Sequence, residues 1–278
     1  MAENTGFIAW LVETLKTVFW ALLIAGIFRT LFFQPFWIPS GSMKDTLLIG
    51  DFLFVNKMAY GYSYASCPSI RIPQVGIDLG AEDFCGFAED SDKRLFGSDP
   101  DRGDIVVFRH PVDGRDFIKR LIGLPGDRIQ MVDSLLYIND APVQVEAAGT
   151  FTEIMEPQGP LAIRPQCENG AVGFGADCNK SRLIETLPNG PSHSILNIGL
   201  RPSDNTGVFT VPEGQFFFMG DNRDNSTDSR FAQAARGVGF VERKDIVGRA
   251  DRVMFSSAGS SMFAFWTWRS DRFFKALD

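Results

Sequence analysis

Histidine is scarce in this sequence, with only His110 and His193 among its 278 residues. His110 precedes a proline and His193 lies in a polar, irregular stretch, so neither stands in a context typical of a catalytic base. A serine protease that relies on histidine is therefore not favoured. A basic excess is also missing: the formal net charge is −7 and the pI is about 5.0, which argues against a nucleic-acid-binding surface.

Cysteine is sparse as well, and its four positions include no C-x-x-C pair. A zinc site or a thioredoxin-like motif is therefore not favoured, and we predict neither a metal nor another cofactor. We expect the disulfides Cys67–Cys85 and Cys167–Cys178, since each closes a short loop within one polar segment. Other pairings are also compatible with the sequence, which alone cannot settle the connectivity.

Long apolar runs are confined to the N-terminus, from Phe7 to Phe33. The uncharged part, Thr17–Phe28, has 12 residues, fewer than the roughly 20 that span a bilayer. A transmembrane anchor over 14–33, after an N-terminal segment 1–13, works if Lys16 and Arg29 extend towards the two interfaces. A cleaved signal peptide is the alternative, but the basic start and the small-x-small cleavage site are missing. The charges of Lys16 and Arg29 roughly balance, so they do not decide the orientation of the anchor in the membrane.

The remaining chain contains no long amphipathic helix and no internal repeat. Strand-like runs separated by turn residues predict a mainly β fold. The runs lie at 51–57, 104–108, 117–122 and 215–219, with a hairpin at 134–143. Residues 61–101, rich in Gly, Ser, Pro and acidic residues, are interpreted as a surface insertion, and 145–205 is read as irregular.

Three stretches are candidates for chemistry. Ser40 and Ser42 flank Gly41 on a predicted turn, where a small hydroxyl beside apolar residues suits a nucleophile; a plain linker is the alternative. Lys119 lies in the apolar strand predicted at 117–122. Its side chain either extends to water or is buried with a lowered pKa. Arg120 points to the opposite face of the same strand. The polar run 220–230 follows an apolar strand and lacks the spacing of an EF-hand.

The combination of these stretches is specific. Four motifs occur in order behind the apolar segment: Pro-Ser-Gly-Ser-Met at 39–43, Arg-Gly-Asp-Ile-Val-Val-Phe at 102–108, Lys-Arg-x-x-Gly-Leu-Pro-Gly-Asp at 119–127, and Gly-Asp-Asn-Arg-x-x-Ser-x-Asp-Ser-Arg at 220–230. Together they resemble the bacterial type I signal peptidases. The resemblance covers 34–60, 102–130 and 214–250, and leaves out 61–101, 145–205 and 256–278.

The resemblance implies a role for each matching residue. Ser42 would be the nucleophile and Lys119 its general base, while the Ser40 hydroxyl would assist the oxyanion hole. Ser226 would orient the lysine, and Asp228 and Arg230 would form a supporting ion pair. The substrate pocket would be lined by Phe36, Ile38, Met43, Leu47 and Ile118. The chain departs from the family at Asp45, where a proline is usual, which puts the local turn geometry in doubt.

The resemblance also implies an architecture: a transmembrane helix, then a signal-peptidase-like β-sheet catalytic core with an inserted second β-rich subdomain. The core would comprise 34–60, 102–130 and 214–255, with 61–101 as insertion, 131–213 as second subdomain and 256–278 as an aromatic, basic tail. Two placements of this tail are compatible with the sequence: contact with the lipid interface, or packing on the β domain.

The implied enzyme is a membrane-bound serine endopeptidase that cleaves signal peptides through an acyl-enzyme. It would be a single-pass monomer of the inner membrane with its catalytic domain in the periplasm, an oxidising compartment that suits paired cysteines. Its partners would be preproteins with small residues at −1 and −3 and membrane lipid, and no nucleic acid. Self-cleaving SOS repressors share a serine–lysine dyad, but the anchor and acidic charge disfavour them. A non-enzymatic tethered β-protein would not need both Ser42 and Lys119.

Overall fold

The computed structural model describes residues 3–67, 70–72, 76–80, 83, 85–86, 94, 96–259 and 261–277. The first two residues of the predicted segment 1–13 and part of the predicted insertion 61–101 therefore lie outside the described residues. Helix α1 spans Glu3–Leu31, and short 3₁₀ turns span Tyr64–Ser66, Pro202–Asp204, Arg223–Asn225, Gln233–Ala235, Arg243–Asp245, Phe265–Thr267 and Ser270–Arg272. In chain order the strands are β1 (Phe33–Trp37), β2 (Asp51–Asn56), β3 (Ile70–Ile72), β4 (Ile77–Leu79), β5 (Ile105–Arg109), β6 (Asp116–Gly123), β7 (Arg128–Val132), β8 (Leu135–Ile138), β9 (Ala141–Pro142), β10 (Gln144–Ile154), β11 (Asp177–Thr186), β12 (Ser192–Asn197), β13 (Phe209–Thr210), β14 (Gln215–Met219), β15 (Val241–Glu242) and β16 (Ile246–Ser256).

Helix α1 is long and apolar enough to cross a membrane over Gly6–Arg29, and none of that segment is buried against the protein. This candidate span starts earlier than the predicted 14–33. Glu13 and Lys16 lie one turn apart, with their charged groups 4.0 Å from each other. Such a pair partly offsets the two charges. The candidate span can therefore include Glu13 and Lys16, although a count of charges alone would end the span before them. A single N-terminal apolar helix fits a membrane anchor.

Seven antiparallel strands form the main sheet, in the order β1-β2-β16-β5-β6-β14-β15. Strands from distant parts of the chain therefore become neighbours. The predicted mainly β class is confirmed. Both faces of β6 are buried: Lys119 on one face is 4% exposed and Arg120 on the other is 0% exposed.

The second β-rich part contains a four-stranded sheet, β13-β7-β8-β9, and a three-stranded sheet, β10-β11-β12. The hairpin predicted at 134–143 is present as β8–β9, with Asn139 and Asp140 at positive φ in its turn. The reading of 145–205 as irregular is wrong. Strand β10 has no fully buried position, and β11 buries Cys178, Lys180 and Glu185, so no apolar run marks these strands in the sequence.

Both predicted disulfides are present, Cys67–Cys85 and Cys167–Cys178. In the described part of the insertion, β3 and β4 form an antiparallel hairpin, in line with the predicted surface insertion. Arg94 ties this insertion to the core, since its guanidinium donates to the carbonyl oxygens of Tyr60, Gly61, Arg243 and Ile246.

The C-terminal tail divides into an exposed and a packed half. Phe263, Phe265 and Trp266 are 83%, 68% and 75% exposed. Arg272, by contrast, is buried, with Nη2 donating to the carbonyl oxygen of Thr46 at 3.0 Å and Nε donating to Asp51 Oδ1 at 3.0 Å. Packing on the β domain, one of the two alternatives for this tail, therefore holds for the half that contains Arg272, and this half supports the loop between β1 and β2.

Candidate active site

Ser42 lies on the loop that joins β1 to β2. The loop turns tightly, because Lys44 N donates to Gly41 O at 3.2 Å and Leu47 N donates to Met43 O at 2.8 Å. At its end Gly50 has φ +91°, and a Cβ there would lie 1.9 Å from the carbonyl oxygen of Ser257. Only glycine meets both demands, so Gly50 allows the loop to close against β16.

Lys119 lies in the middle of β6, paired with Val106 of β5. Its Nζ is 2.5 Å from Ser42 Oγ, although the two residues are 77 positions apart in sequence. In the sheet, β16 and β5 separate β6 from β2, which in a flat sheet would put β6 about 14 Å from β2. The contact therefore depends on the loop folding back over a curved sheet. The predicted juxtaposition of serine and lysine is present.

Burial lowers the pKa of Lys119 to about 8, against the opposing influence of the Asp228 and Asp221 carboxylates. The desolvation prevails because the side chain is only 4% exposed. An ordinary lysine has a pKa of about 10.4 and would be almost fully charged at neutral pH. In this site a substantial fraction of the amine is neutral near pH 8 and can accept a proton from Ser42.

The polar run 220–230 holds the Ser42 loop in place. Asn222 N donates to Ser42 O at 3.0 Å, and Asn222 Nδ2 donates to Gly41 O at 2.9 Å. Both bonds fix the backbone next to the hydroxyl. The run is recognisable in the sequence, but Asn222 is not distinguished from its neighbours there, because only the folded chain shows which of the polar residues faces the loop.

Two buried ion pairs flank the lysine on either face of β6. Arg230 binds Asp228 in bidentate fashion, at 2.9 Å for each bond, as predicted for these two residues. Arg120 binds Asp221 in the same way, also at 2.9 Å. Strand alternation predicts that Arg120 points away from Lys119, but it does not identify the partner of Arg120. The structure shows that Asp221 in the polar run supplies the matching charge.

Two other predicted residues, Ser226 and Ser40, are placed as follows. Ser226 is buried, and a Cβ on Gly220 would lie 2.3 Å from its Oγ and 2.5 Å from Ser42 O, so the missing side chain of Gly220 lets Ser226 approach the dyad. Its predicted bond to Lys119 is not formed: Lys119 Nζ bonds Ser42 Oγ and the carbonyl oxygen of Ile118, and Ser226 Oγ is left without a hydrogen-bond partner among the described residues. Ser40 is exposed at the mouth of the site.

The five predicted pocket residues lie together. Ile38, Met43 and Leu47 belong to one buried cluster, and Phe36 and Ile118 pack against it. Met43 and Leu47 are 0% exposed, so they form the layer beneath the surface. Phe36 and Ile118 are half-buried and are the members of the set that present the most surface to a substrate.

Asp45 makes contacts that a proline could not. Its Oδ2 accepts a hydrogen bond from Ser194 Oγ at 3.1 Å and faces Arg182 Nη1 at 3.5 Å. These partners lie on β12 and β11. The departure from the family pattern therefore adds a link between the nucleophile loop and the three-stranded sheet.

Comparison with known proteins identifies a family. The family described as "Signal peptidase, peptidase S26" matches residues 11–255. Signal peptidase I of Rickettsia typhi is 39% identical over 245 residues, covering 85% of this chain and 77% of its own. Signal peptidase I of Rickettsia prowazekii is 38% identical with the same coverage. A solved signal peptidase I from Enterococcus faecalis V583 is 25% identical and covers 55% of this chain and 97% of its own, with a TM-score of 0.29.

Proposed function

Because the chain belongs to the signal peptidase family, peptidase S26, we propose that it is a membrane-bound endopeptidase in which Ser42 is the nucleophile and Lys119 the general base. Family membership establishes a signal peptidase that acts on secreted preproteins. The observation that carries the proposed mechanism is the 2.5 Å contact between Ser42 Oγ and the buried Lys119 Nζ.

The reaction follows from this geometry. Neutral Lys119 takes the proton from Ser42 Oγ, and Oγ attacks the carbonyl carbon of the scissile bond. The oxyanion accepts hydrogen bonds from Ser42 N–H and the Ser40 hydroxyl; in the described part of the chain Ser42 N–H makes no other hydrogen bond. The Lys119 ammonium then protonates the leaving amine. Water, deprotonated by Lys119, hydrolyses the acyl-enzyme, while the carbonyl oxygen of Ile118, 3.1 Å from Nζ, helps to orient the amine.

The test is cleavage of a purified preprotein by the full-length chain in detergent micelles. We expect a single cut after a small-x-small sequence, detected by N-terminal sequencing of the product, and no cut by Ser42→Ala. Absence of cleavage by the wild-type chain, or an equal rate for Ser42→Ala, would overturn the proposal.

The shallow pocket should select small residues at −1 and −3. Ile118 is the half-buried wall next to Lys119, so Ile118→Ala should admit valine or leucine. We expect kcat/KM for such substrates, relative to alanine substrates, to rise about tenfold, since each methylene that a pocket accommodates is worth about 1–3 kcal/mol. Val112→Ala, at a 51% exposed position in the β5–β6 turn, serves as a control. Strict alanine selection by Ile118→Ala would show that other residues form the wall.

The proposed topology has the N-terminus in the cytoplasm, α1 across the inner membrane and residues 34–278 in the periplasm, as a monomer. Two observations support it. The chain enters the sheet directly after α1, since β1 begins at Phe33, so the catalytic core must stand next to the bilayer. Both cysteine pairs are bonded, which fits an oxidising compartment.

The exposed aromatics of the tail should lie in the lipid interface. In proteoliposomes, a spin label at Phe265→Cys should collide more often with oxygen than with a water-soluble nickel complex, because oxygen concentrates in lipid. A label at Phe174→Cys, 64% exposed in the loop before β11, provides the comparison and should favour nickel. Greater nickel than oxygen accessibility at 265 would show that this half of the tail is solvated.

A further inference from the structure

Lys44 follows the nucleophile by two residues, yet its side chain points into the three-stranded sheet. Its Nζ donates to Glu153 Oε2 at 2.5 Å and to Gln158 Oε1 at 2.7 Å. The residue is 4% exposed. These partners lie 109 and 114 positions away in sequence, in the part of the chain without motif resemblance to the family. The nucleophile loop is thus tied to the second subdomain by a buried charged bond.

Glu153 is shared between two lysines. Its other oxygen, Oε1, accepts a bond from Lys180 of β11, which is 1% exposed. Burial alone would raise the pKa of Glu153, but the Lys44 ammonium and the bonds from both lysines hold it below its usual value. Two buried ammonium groups on one carboxylate leave excess positive charge, and a buried ion pair seldom adds net stability over apolar packing. Stability alone therefore does not account for a lysine at position 44.

The position of Lys44 is coupled to that of Ser42 through a single turn. Lys44 N donates to Gly41 O at 3.2 Å, which closes the turn around the serine. The Lys44 stem also lies under this turn: a Cβ on Gly41 would be 3.3 Å from Lys44 Cε. Asn222 holds the carbonyl groups of Gly41 and Ser42. The turn is therefore held at two places. Asn222 binds its backbone, and Glu153 binds the side chain of Lys44.

We propose that Lys44, held by Glu153 and Gln158, is a positioning residue that aims Ser42 Oγ at the scissile carbonyl. This inference rests on the proposed function. The rate of cleavage depends steeply on the position of Ser42 Oγ, because a displacement of about 1 Å can lower the rate about 100-fold. Asp45 contacts Ser194 and Arg182 of the three-stranded sheet β10-β11-β12. Lys44 and Asp45, the two residues after Met43, are therefore both bound to the second subdomain.

The test compares two lysines on one carboxylate. Lys44→Met removes the bond that reaches the nucleophile loop and leaves Glu153 paired with Lys180. Lys180→Met is the matched control, since it makes the same change in the same cluster and leaves Lys44 bound. We expect Lys44→Met to lower kcat by about 10- to 100-fold with KM changed less than about twofold, measured on full-length enzyme per acylatable active site. Lys180→Met should stay within about threefold of wild type.

Two further readouts separate positioning from folding and from electrostatics. The acid limb of the pH profile should not move in Lys44→Met, because burial and, after it, the charges of Asp228, Asp221 and Arg230 set the pKa of Lys119, and the substitution removes none of these groups. If Lys44→Met does not fold, Gln158→Ala removes the second contact of Lys44 together with the bond from Gln158 Nε2 to Glu153 Oε2, and leaves the bond from Lys44 to Glu153 in place. It should lower kcat several-fold at constant KM. Equal losses for the two lysine variants, or no loss for Lys44→Met or for Gln158→Ala, would overturn the inference. Failure of wild type to cleave would instead reject the proposed function.

Discussion

Ser42→Ala and Lys119→Ala are each expected to lower the rate of preprotein cleavage by at least about 10⁴-fold. Without Oγ no acyl-enzyme can form, and without the Lys119 amine the proposed proton acceptor is lost. Lys119 Nζ lies 2.5 Å from that oxygen. The measurement is single-turnover cleavage in excess enzyme, with circular dichroism to confirm that each variant keeps the fold.

The double variant Ser42→Ala/Lys119→Ala should be no slower than either single variant, because the two residues act as one unit. Removal of Lys119 should not unfold the protein, since an amine that is 4% exposed gains little stability from its burial. Losses that add in the double variant would contradict the assignment of a dyad.

Ser40→Ala is expected to lower kcat by about 10²- to 10³-fold with little change in KM, the magnitude found when one oxyanion-hole donor is lost. In the free enzyme Ser40 is exposed, so its hydroxyl is hydrated and contributes little until the substrate excludes water. The Ser40 hydroxyl therefore stabilises mainly the transition state, so its removal should lower kcat and leave KM nearly unchanged.

Ser40→Thr keeps the hydroxyl and is the matched control. We expect it to retain far more activity than Ser40→Ala when both are assayed with the same peptide at saturating concentration. If kcat of Ser40→Ala matches wild type, Ser40 is only a residue of the turn, and the oxyanion needs another donor.

The pairing of Ser42 with Lys119 could be predicted because the motifs that carry the family resemblance are local and ordered along the chain. Ser42 lies in the first of these motifs and Lys119 in the third, while the apolar strand around Lys119 left open whether its side chain is buried. The two disulfides could be predicted because each closes a short segment. Arg120 was correctly placed on the face opposite Lys119, because strand alternation depends only on sequence neighbours.

Apart from the Asp228–Arg230 pair, the contacts that support Ser42 and Lys119 could not be predicted, because they join distant segments through charged side chains. Arg120 meets Asp221 across 101 positions and Lys44 meets Glu153 across 109. Strand β11 buries Lys180 and Glu185, residues that a hydrophobic pattern places at the surface. Only the assembled sheets show that these charges face one another, which is why 145–205 was read as irregular.

The most direct test of the central claim, that neutral Lys119 takes the proton from Ser42, is the pH dependence of kcat/KM with a short peptide substrate. Because the folded-state pKa of Lys119 is lowered to about 8, the active neutral amine is lost as the pH falls below that value. We expect kcat/KM to rise about tenfold per pH unit below pH 8 and to level off above it, with Lys119→Arg inactive throughout, since guanidinium stays protonated. An acid limb near about 4–5, as for a carboxylate base, or an active Lys119→Arg variant would contradict the claim.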